Sequence, residues 1–198
     1  WESLTCAEIW HCMEFFSRGI ELGNQVYITH EQTPYGNREL RIKVLDMGMG
    51  QERCAWFSQG KDTIYDATFP KVMKSLYDIS SLKPDEEFMK SYIPYAGYLD
   101  VDEVENLDET WKFVAKKIKI NADDLKKKIL PISALYSIGE HSRALLVALN
   151  DSALPSNVGG GHNLRMLARR CFDFIQKYNW KVYLPNLCEE HDKELKPQ

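Results

Sequence analysis

Two runs of residues near the start of the chain constrain its fold most strongly, because apolar and polar residues alternate in part in the first run and strictly in the second. The first run, 19–28, is rich in β-forming residues, and in the second run, 39–45, every other residue from Leu40 to Val44 is apolar. Between them, 33–37 contains Pro, Gly and Asn, a composition that is typical of a turn. Two strands joined by a short turn predict an antiparallel hairpin.

The rest of the chain has the periodicity of helices. Residues 51–59 are expected to form a helix directly after a glycine-containing segment, and no convincing strand follows Phe69. The further predicted helices are 70–79, 85–93, 108–118, 122–129, 133–150, 163–178 and 186–195. We therefore expect an α+β protein with a sheet-containing domain at 1–69 and a helical domain at 70–198.

Composition limits the classes of function that fit. The 198 residues allow one domain or two small ones, which excludes an enzyme with separate catalytic, binding and regulatory domains. The net charge of -4 argues against a generic basic nucleic-acid binder, but it permits a local basic face. No apolar run reaches the roughly 18 residues that a membrane span needs, so no membrane partner is expected.

The cysteines and the first residue indicate the setting of the protein. The five cysteines are an odd number without a C-x-x-C pair, so we expect buried thiols in a reducing cytoplasm rather than a disulfide scaffold. The first residue is Trp1 rather than Met, which favours a processed or fragment start.

The segment 46–53 reads D-M-G-M-G-Q-E-R and predicts a strand, a two-glycine turn and a helix. Gly48 and Gly50 would let a ligand approach the backbone, and the start of the helix would offer N–H groups to an anion. Arg53 could reach a phosphate, and Asp46 could hold an ammonium group. A tight turn with Asp46 as the helix cap is the alternative, because G-x-G alone is a weak signal.

Three segments together resemble the alanyl-tRNA synthetase family in its archaeal form. D-x-G-x-G-x-E-R at 46–53 is similar to motif 3 of the class II aminoacyl-tRNA synthetases, and G-I-E-L-G-N-Q-V-Y-I at 19–28 is similar to the strand before that motif. The segment 154–170 resembles the family's tRNA-recognition helix and the loop that leads into it. The resemblance runs in the family's order over about residues 19–181.

The resemblance implies ATP-dependent ligation of alanine to tRNA-Ala, with ATP and its Mg²⁺ as co-substrate and no structural metal. Asn24 matches a residue that contacts alanine, and Asp46 matches the residue that pairs with the ammonium group of alanine. Val26 and Gly48 match the walls of the methyl pocket. The positions that match the ATP site are Gly50 and Arg53, with Arg53 as the candidate catalytic residue on the phosphates.

One departure from the family pattern limits what the chain is expected to do alone. Motifs 1 and 2 would precede Trp1, and no segment matches motif 2, whose arginine binds the α-phosphate. Phosphate chemistry depends on such charges, so the chain alone is not expected to activate alanine. We expect a fragment, or one subunit of a split synthetase, that works with the N-terminal half.

A second region combines a run of three glycines, 159–161, with a basic helix. The glycines predict a loop that is either flexible or closely approached along its backbone. Over 157–181, five basic residues against Asp173 give a local charge of +4. The basic residues are Arg165, Arg169, Arg170, Lys177 and Lys181. The predicted apolar stripe on the other side is Leu164, Leu167, Ala168, Cys171, Phe172 and Ile175. A solvated basic face is the alternative.

The resemblance makes this region a site for the tRNA acceptor stem. In the family the Asn of the P-S-N loop reads the G·U pair that identifies tRNA-Ala, and that position is Asn157 here. The other tRNA-binding candidates are Gly160, Arg165, Arg169 and Arg170. The family's partner Asp lies further downstream, and this chain is expected to end before it.

Other residues carry weaker predictions. His141 is expected to be a buried, hydrogen-bonded histidine rather than a catalyst, and Arg143 could extend the phosphate face. His162 is expected either to touch RNA or to cap a helix. The residues 126–128 predict a solvated helix end, and 189–192 predict an exposed acidic one.

Residues around the predicted sheet complete the list of candidates. A metal site is not expected, because C-x4-H-C has no fourth ligand nearby; its members are Cys6, His11 and Cys12. Four aromatic side chains are expected in the core around the sheet: Trp10, Phe15, Phe16 and Trp56.

Two other classes of function fit the same residues. One is a non-catalytic RNA-binding module, derived from a synthetase, that uses only the helical part. The other is a structural or interaction protein, for which RNA binding would be weak and independent of salt.

Overall fold

The computed structural model describes residues 8–99 and 106–196, with side chains from His11 onwards. The chain separates into two compact units, 1–60 and 61–198, which we call the sheet unit and the helical unit. The sequence placed the boundary between residues 69 and 70, nine residues later than this division.

The sheet unit contains three antiparallel strands in the order β1-β2-β3: β1 Glu8–Ser17, β2 Ile20–Thr33 and β3 Gly36–Met49. The predicted hairpin is β2 and β3. The sequence did not predict β1, which joins β2 through Arg18 and Gly19, both with positive φ. Two such residues are the requirement of a type I′ hairpin turn.

The strand β3 has an apolar row that is not buried. Its pairing with β2 is irregular, because Ile28 lies opposite Val44 while His30 lies opposite Glu39. Ile42 is 73% exposed, and Val44 is also exposed. The alternation of the sequence therefore predicted the strand correctly without marking a face of the core.

The strand β3 is longer than the sequence indicated, and this changes the setting of the two glycines. Gly48 lies within the strand, and only Gly50 stands between β3 and helix α1, Gln51–Gln59. The expectation of a two-glycine turn is wrong at Gly48. Helix α1 has the predicted bounds and ends at Gly60, whose φ of 64° suits a C-cap glycine.

The aromatic residues of the sheet unit divide into buried and exposed ones. Trp56 on α1 is 3% exposed, as expected for a core residue. Phe16 is 60% exposed, and Phe15 is exposed as well, so the expectation that both are core residues is wrong. The side chain of Trp10 lies outside the described residues.

The helical unit contains α2 Ile64–Thr68, α3 Pro70–Ser80, α4 Glu86–Tyr92, a 3₁₀ helix Ile93–Leu99, α5 Leu107–Lys117, α6 Ala122–Asn150, α7 Gly159–Lys177 and α8 Leu184–Leu195. The sequence missed α2 and the 3₁₀ helix. Helix α2 is a single capped turn, in which the Asp66 N–H donates to Thr63 Oγ1 over 3.1 Å. No helix among the described residues is long and apolar enough to cross a membrane.

Helix α6 is continuous where the sequence predicted two helices. Pro131 lies inside it and removes one backbone hydrogen bond, at a cost of about 3 kcal/mol. The halves on either side pack into two different clusters. Leu125 and Ile129 join Trp111 and its neighbours, whereas Leu135 joins the cluster around α3. Burial in both clusters offsets the cost of the proline.

Close packing in the cluster around α3 depends on Gly139 of α6. A Cβ at this position would lie 2.9 Å from Cε2 of Phe69 and 3.3 Å from Sδ of Met73. The missing side chain therefore lets α3 and its preceding residue approach α6.

His191 lies in this core, although the sequence predicted an exposed acidic helix end at 189–192. It is fully buried, and its Nε2 lies 2.9 Å from the Gly139 carbonyl and 3.1 Å from Ser142 Oγ. Its ring stands edge-on to Phe69 at 5.2 Å between centroids. Because the residues next to His191 in the sequence are acidic, the sequence did not indicate that His191 is buried in apolar surroundings.

The burial of His191 predicts how stability depends on pH. Burial lowers its pKa to about 4, with a further contribution from Arg143, while the Gly139 carbonyl opposes the shift. The neutral form is favoured in the folded chain, so its contribution is complete above about pH 6.5 and is lost as the pH falls toward 4. We expect the free energy of unfolding to be about 2 kcal/mol lower at pH 5 than at pH 7 from this residue.

Urea titrations followed by helical circular dichroism at both pH values measure this loss. His191→Gln should remove that part of the pH dependence, and His162→Gln, which changes an exposed histidine, should keep it. The same pH dependence in His191→Gln and in the unchanged chain would contradict the prediction.

Candidate functional site

The strand register brings together four residues of the predicted site. Asn24 of β2 lies opposite Gly48 of β3, and Val26 lies opposite Asp46. Opposed residues in an antiparallel pair share one face, and so do alternate residues of one strand. The four therefore form one compact patch, which we call the β2–β3 patch.

Two glycines, Gly48 and Gly23, permit the close approach of β2 and β3 at the patch. A Cβ at Gly48 would lie 3.2 Å from Asn24 Oδ1, so its absence leaves room for the amide of Asn24. A Cβ at Gly23 would lie 2.6 Å from the Gly48 carbonyl oxygen. No side chain fits there without moving the strands apart.

Two carboxylates lie near the patch, those of Asp46 and Glu21, and they have different surroundings. Asp46 is exposed and makes no hydrogen bond or ion pair within 8–99 and 106–196, so its oxygens are available to a ligand. The alternative role of Asp46 as a helix cap is not what the structure has, since Gly50 is the N-cap of α1.

Glu21, which the sequence analysis did not select, connects the patch to α1. Its Oε1 accepts from Asn24 Nδ2 over 3.3 Å, and its Oε2 lies 3.4 Å from Arg53 Nη1. The same guanidinium nitrogen donates to the Glu21 carbonyl over 2.8 Å. Glu21 thus holds both an amide of the patch and the arginine beside it.

A β-bulge places Glu21 on this side. In β1 the neighbours Phe15 and Phe16 pair with Gly23 and Glu21, so β2 has one extra residue there, Leu22. Regular alternation would put Glu21 and Asn24 on opposite faces. The sequence contains no clear signal for this bulge, which explains why Glu21 was missed.

Gly50 and Arg53 form the start of α1. The Gly50 N–H donates to the Leu22 carbonyl over 3.0 Å, which ties the helix start to β2. A Cβ at Gly50 would lie 2.9 Å from Arg53 Cδ, so the glycine makes space for the arginine side chain. No side chain caps α1, and its first N–H groups stay available to an anion.

Removing the space at Gly23 should destabilise the sheet unit. Because the new Cβ of Gly23→Ala would clash with a backbone oxygen, we expect a loss of about 1–3 kcal/mol in the free energy of unfolding. Gly160→Ala is the matched control, since open space surrounds that glycine. Chemical denaturation of both variants measures the effect, and equal stability of the two would contradict it.

The second group of predicted residues lies in the helical unit, where α7 begins earlier than expected. The three glycines 159–161 form its first turn rather than a loop. Gly159 has a φ of 55°, and a Cβ at Gly161 would lie 2.3 Å from Ser156 Oγ. Open space surrounds Gly160. A Cβ at Gly159 would meet nothing within 4 Å either, so Gly159 and Gly160 fit the expectation that the backbone is left accessible and Gly161 does not.

The loop before α7 is held by its own hydrogen bonds. The Ser156 N–H donates to the Gly161 carbonyl over 2.9 Å, and Ser156 Oγ donates to the Val158 carbonyl over 3.0 Å. Between them, Asn157 accepts a hydrogen bond at Oδ1 from Arg165 Nη1. The structure therefore places Asn157 and Arg165 together on one exposed surface.

The basic face and the apolar face of α7 are largely as predicted. Arg165, Arg169 and Arg170 are exposed, and Cys171 is buried on the opposite side. The prediction that Phe172 belongs to the apolar face is wrong, since Phe172 is 59% exposed. Phe174 packs against the core in its place.

The weaker candidates His141, Arg143 and His162 have different surroundings. Burial and the charge of Arg170 lower the pKa of His141, which is half-buried. Arg143 Cζ lies 6.0 Å from the centroid of the Phe69 ring. The side chain of His162 is exposed, and its backbone N–H donates to the Val158 carbonyl over 3.2 Å. His141 thus stays neutral near pH 7.

Lys126 and Lys128 are less freely solvated than expected. Lys126 pairs with Asp108 at 2.9 Å, and the Nζ of Lys128 lies 4.6 Å from the Phe88 ring centroid. No group of three potential metal ligands lies together in the described part of the chain. Cys6, one of the three residues considered for a metal, lies outside that part.

Comparison with known proteins identifies relatives over most of the chain. The family model described as class II (A) tRNA synthetases matches residues 5–197. An alanine–tRNA ligase of Methanocella arvoryzae is 49% identical over 184 residues, which are 92% of this chain and 21% of that protein. Those of Nitrosopumilus maritimus and Methanothermobacter thermautotrophicus are each 35% identical, over 93% and 89% of this chain and 21% and 20% of their own lengths.

These matches confirm the resemblance that the three sequence segments indicated, including its archaeal form. The chain spans about one fifth of the length of these relatives. The α+β fold agrees with the family match.

Proposed function

Because the chain belongs to the class II (A) tRNA synthetase family, we propose that it is the part of an alanine–tRNA ligase that holds alanine, the ATP phosphates and the acceptor stem of tRNA-Ala. In this proposal the sheet unit holds the small substrates. The helical unit holds the RNA.

The observation that carries the proposal is the β2–β3 patch. Asp46 offers an unpaired carboxylate to the ammonium group of alanine, and Asn24 is its diagonal neighbour on the adjacent strand, two residues from Val26, which lies opposite Asp46. Val26 and Gly48 leave a small apolar space beside these polar groups, which suits a methyl side chain. Such a pocket discriminates analogues that differ by one methylene only by about 10–200-fold.

Arg53 is the residue of this chain that binds the ATP phosphates in the proposal. Its guanidinium is partly exposed, and the uncapped start of α1 adds N–H groups nearby. Glu21 holds Arg53 in place and keeps the ammonium side and the phosphate side of the site connected. ATP would enter with its Mg²⁺ as co-substrate.

The proposed reaction has two steps. A carboxylate oxygen of alanine attacks the α-phosphorus of ATP and pyrophosphate leaves. A hydroxyl oxygen of the terminal ribose of the tRNA then attacks the alanyl carbonyl carbon, the hydroxyl loses its proton, and AMP leaves. Positioning and charge neutralisation supply most of the catalysis in such phosphoryl chemistry. No segment of the 198 residues matches motif 2 and its arginine, so we propose that activity needs the N-terminal part of such a ligase.

On the helical unit, the loop with Asn157 and the arginine face of α7 would contact the acceptor stem. The minor groove of an RNA helix is shallow and displays base edges and 2′-hydroxyls, so a loop side chain can read it while arginines hold phosphates. Gly160 has no side chain to block the approach of a phosphate to the first turn of α7.

Asp46→Asn tests the alanine site. The variant keeps the shape but loses the charge that binds the ammonium group, so we expect kcat/KM for alanine-dependent ATP–pyrophosphate exchange to fall on the order of 10²-fold. The assay uses the chain together with an N-terminal part that carries motifs 1 and 2. Asp62→Asn, at an exposed carboxylate after α1, is the control and should be unchanged.

Exchange by the chain alone at the rate of the combined protein would contradict the need for the N-terminal part. An Asp46→Asn variant with normal exchange would contradict the alanine site itself.

Asn157→Ala tests the RNA site. We expect it to weaken discrimination of a G·U acceptor duplex from a G·C duplex by about 1–3 kcal/mol, the value of one lost base contact. Binding is measured by fluorescence anisotropy at several salt concentrations, since phosphate contacts predict a steep salt slope. An equal loss for both duplexes would mean that Asn157 only positions the backbone.

The separate helical unit favours one second candidate, a non-catalytic RNA-binding module. Its basic residues lie on α7, apart from Lys181, which follows that helix. RNA binding without any exchange activity, even with the N-terminal part added, would favour that function over ligation.

A further inference from the structure

We infer that Arg165 is a positioning residue that turns the side-chain amide of Asn157 so that its NH₂ group, and not its oxygen, faces the RNA. This inference rests on the proposed function, and it adds a specificity-determining residue to that site. Its basis is the hydrogen bond from Arg165 Nη1 to Asn157 Oδ1.

The chemistry of arginine fixes the orientation of the amide. A guanidinium has only donors, whereas an Asn amide has an acceptor at one end and donors at the other. The end of Asn157 that meets Arg165 must therefore be the oxygen. The NH₂ group then points elsewhere, and it makes no hydrogen bond to any other residue that the structure describes.

The backbone around Asn157 leaves little other freedom. Ser156 is bonded to the Gly161 carbonyl over 2.9 Å and to the Val158 carbonyl over 3.0 Å, on either side of the asparagine. Gly161 is packed so closely against Ser156 that no Cβ fits. The remaining motion is rotation of the Asn157 side chain, and Arg165 restrains that rotation.

The restraint has a consequence for recognition. A free amide could present either end to a base pair, and it would lose conformational freedom on binding. A preset NH₂ group favours acceptors in the minor groove, such as a pyrimidine O2, and the wobble geometry of G·U displaces that atom relative to G·C. Because both side chains are exposed, the contact itself should contribute little to stability.

Arg169 supplies a matched comparison. It lies one turn further along the same exposed face of α7 and makes no hydrogen bond or ion pair within the described ranges. Loss of Arg169 removes the same charge without freeing Asn157. A pure phosphate contact weakens binding to all sequences alike.

The test uses the 198-residue chain and two hairpin RNAs that differ only in one G·U or G·C pair. Arg165→Ala should lower the ratio of the two affinities by about 10-fold, the effect of one hydrogen bond. Arg169→Ala should weaken binding to both RNAs and keep the ratio. In an Arg165→Ala and Asn157→Ala cycle, the effects on the ratio should not add.

Asn157→Asp tests which end of the amide is used. The aspartate keeps the size of the side chain and the partner Arg165, but it has no NH₂ group, so its ratio should fall as far as in Asn157→Ala. A ratio retained in Asn157→Asp would show that the oxygen reads the RNA and would overturn the inference.

A measurement without RNA separates this inference from the proposed function. The side-chain amide signals of Asn157 in the ¹⁵N-labelled chain should report a rigid group, which becomes mobile in Arg165→Ala and stays rigid in Arg169→Ala. Unchanged rigidity in Arg165→Ala, or an unchanged affinity ratio, overturns the role of Arg165 while the proposed function stands. If the unchanged chain does not distinguish the two RNAs, the proposed function fails at this site, and the inference with it.

Discussion

The close pairing of β2 and β3 is the constraint on which the proposed small-molecule site depends. Gly23 lies so near the Gly48 carbonyl that only a hydrogen fits between the strands. This approach puts Asn24 over Gly48 and Val26 beside Asp46 in a fixed register. A shift by one residue would turn all of these side chains to the other face. The geometry of the patch is thus a property of the backbone rather than of any one functional side chain.

In the helical unit, the packing of α7 leaves one of its faces exposed, and this is the face that we propose binds RNA. Helix α6 runs through both apolar clusters and provides the surface on which α7 packs. Cys171 and Phe174 attach α7 to this surface, so the arginines on its other face stay in solvent. The buried His191 strengthens the same core from α8 without taking part in the site.

Much of the fold could be predicted from the sequence because periodicity carries the information. The hairpin, α1 and most of the later helices follow from alternation or from helical spacing. The strand β1 could not be predicted, since the apolar residues Met13, Phe15 and Phe16 do not mark a buried face and its turn, Arg18-Gly19, is short. The break that the sequence predicted between 129 and 133 is absent, because local rules do not include the two clusters that keep α6 continuous through Pro131.

The candidate site could be predicted as a set of residues, but not as a set of contacts. The family resemblance pointed to Asn24, Asp46 and Arg53, and the register brings the first two together. Glu21 depends on a β-bulge, and the bond between Arg165 and Asn157 depends on a loop that folds back on a helix. Neither arrangement follows from spacing along the chain.

The exposed apolar row of β3 has a consequence for how the molecule behaves in solution. Among the described residues β3 pairs only with β2, so its other edge presents free backbone groups beside Ile42. Such an edge can pair with the same edge of another molecule, and the charges of Arg41 and Lys43 oppose this association. Salt screens those charges just as it screens the attraction between arginines and phosphates. High ionic strength should therefore lower the colloidal stability of the protein and, under the proposed function, its RNA affinity at the same time.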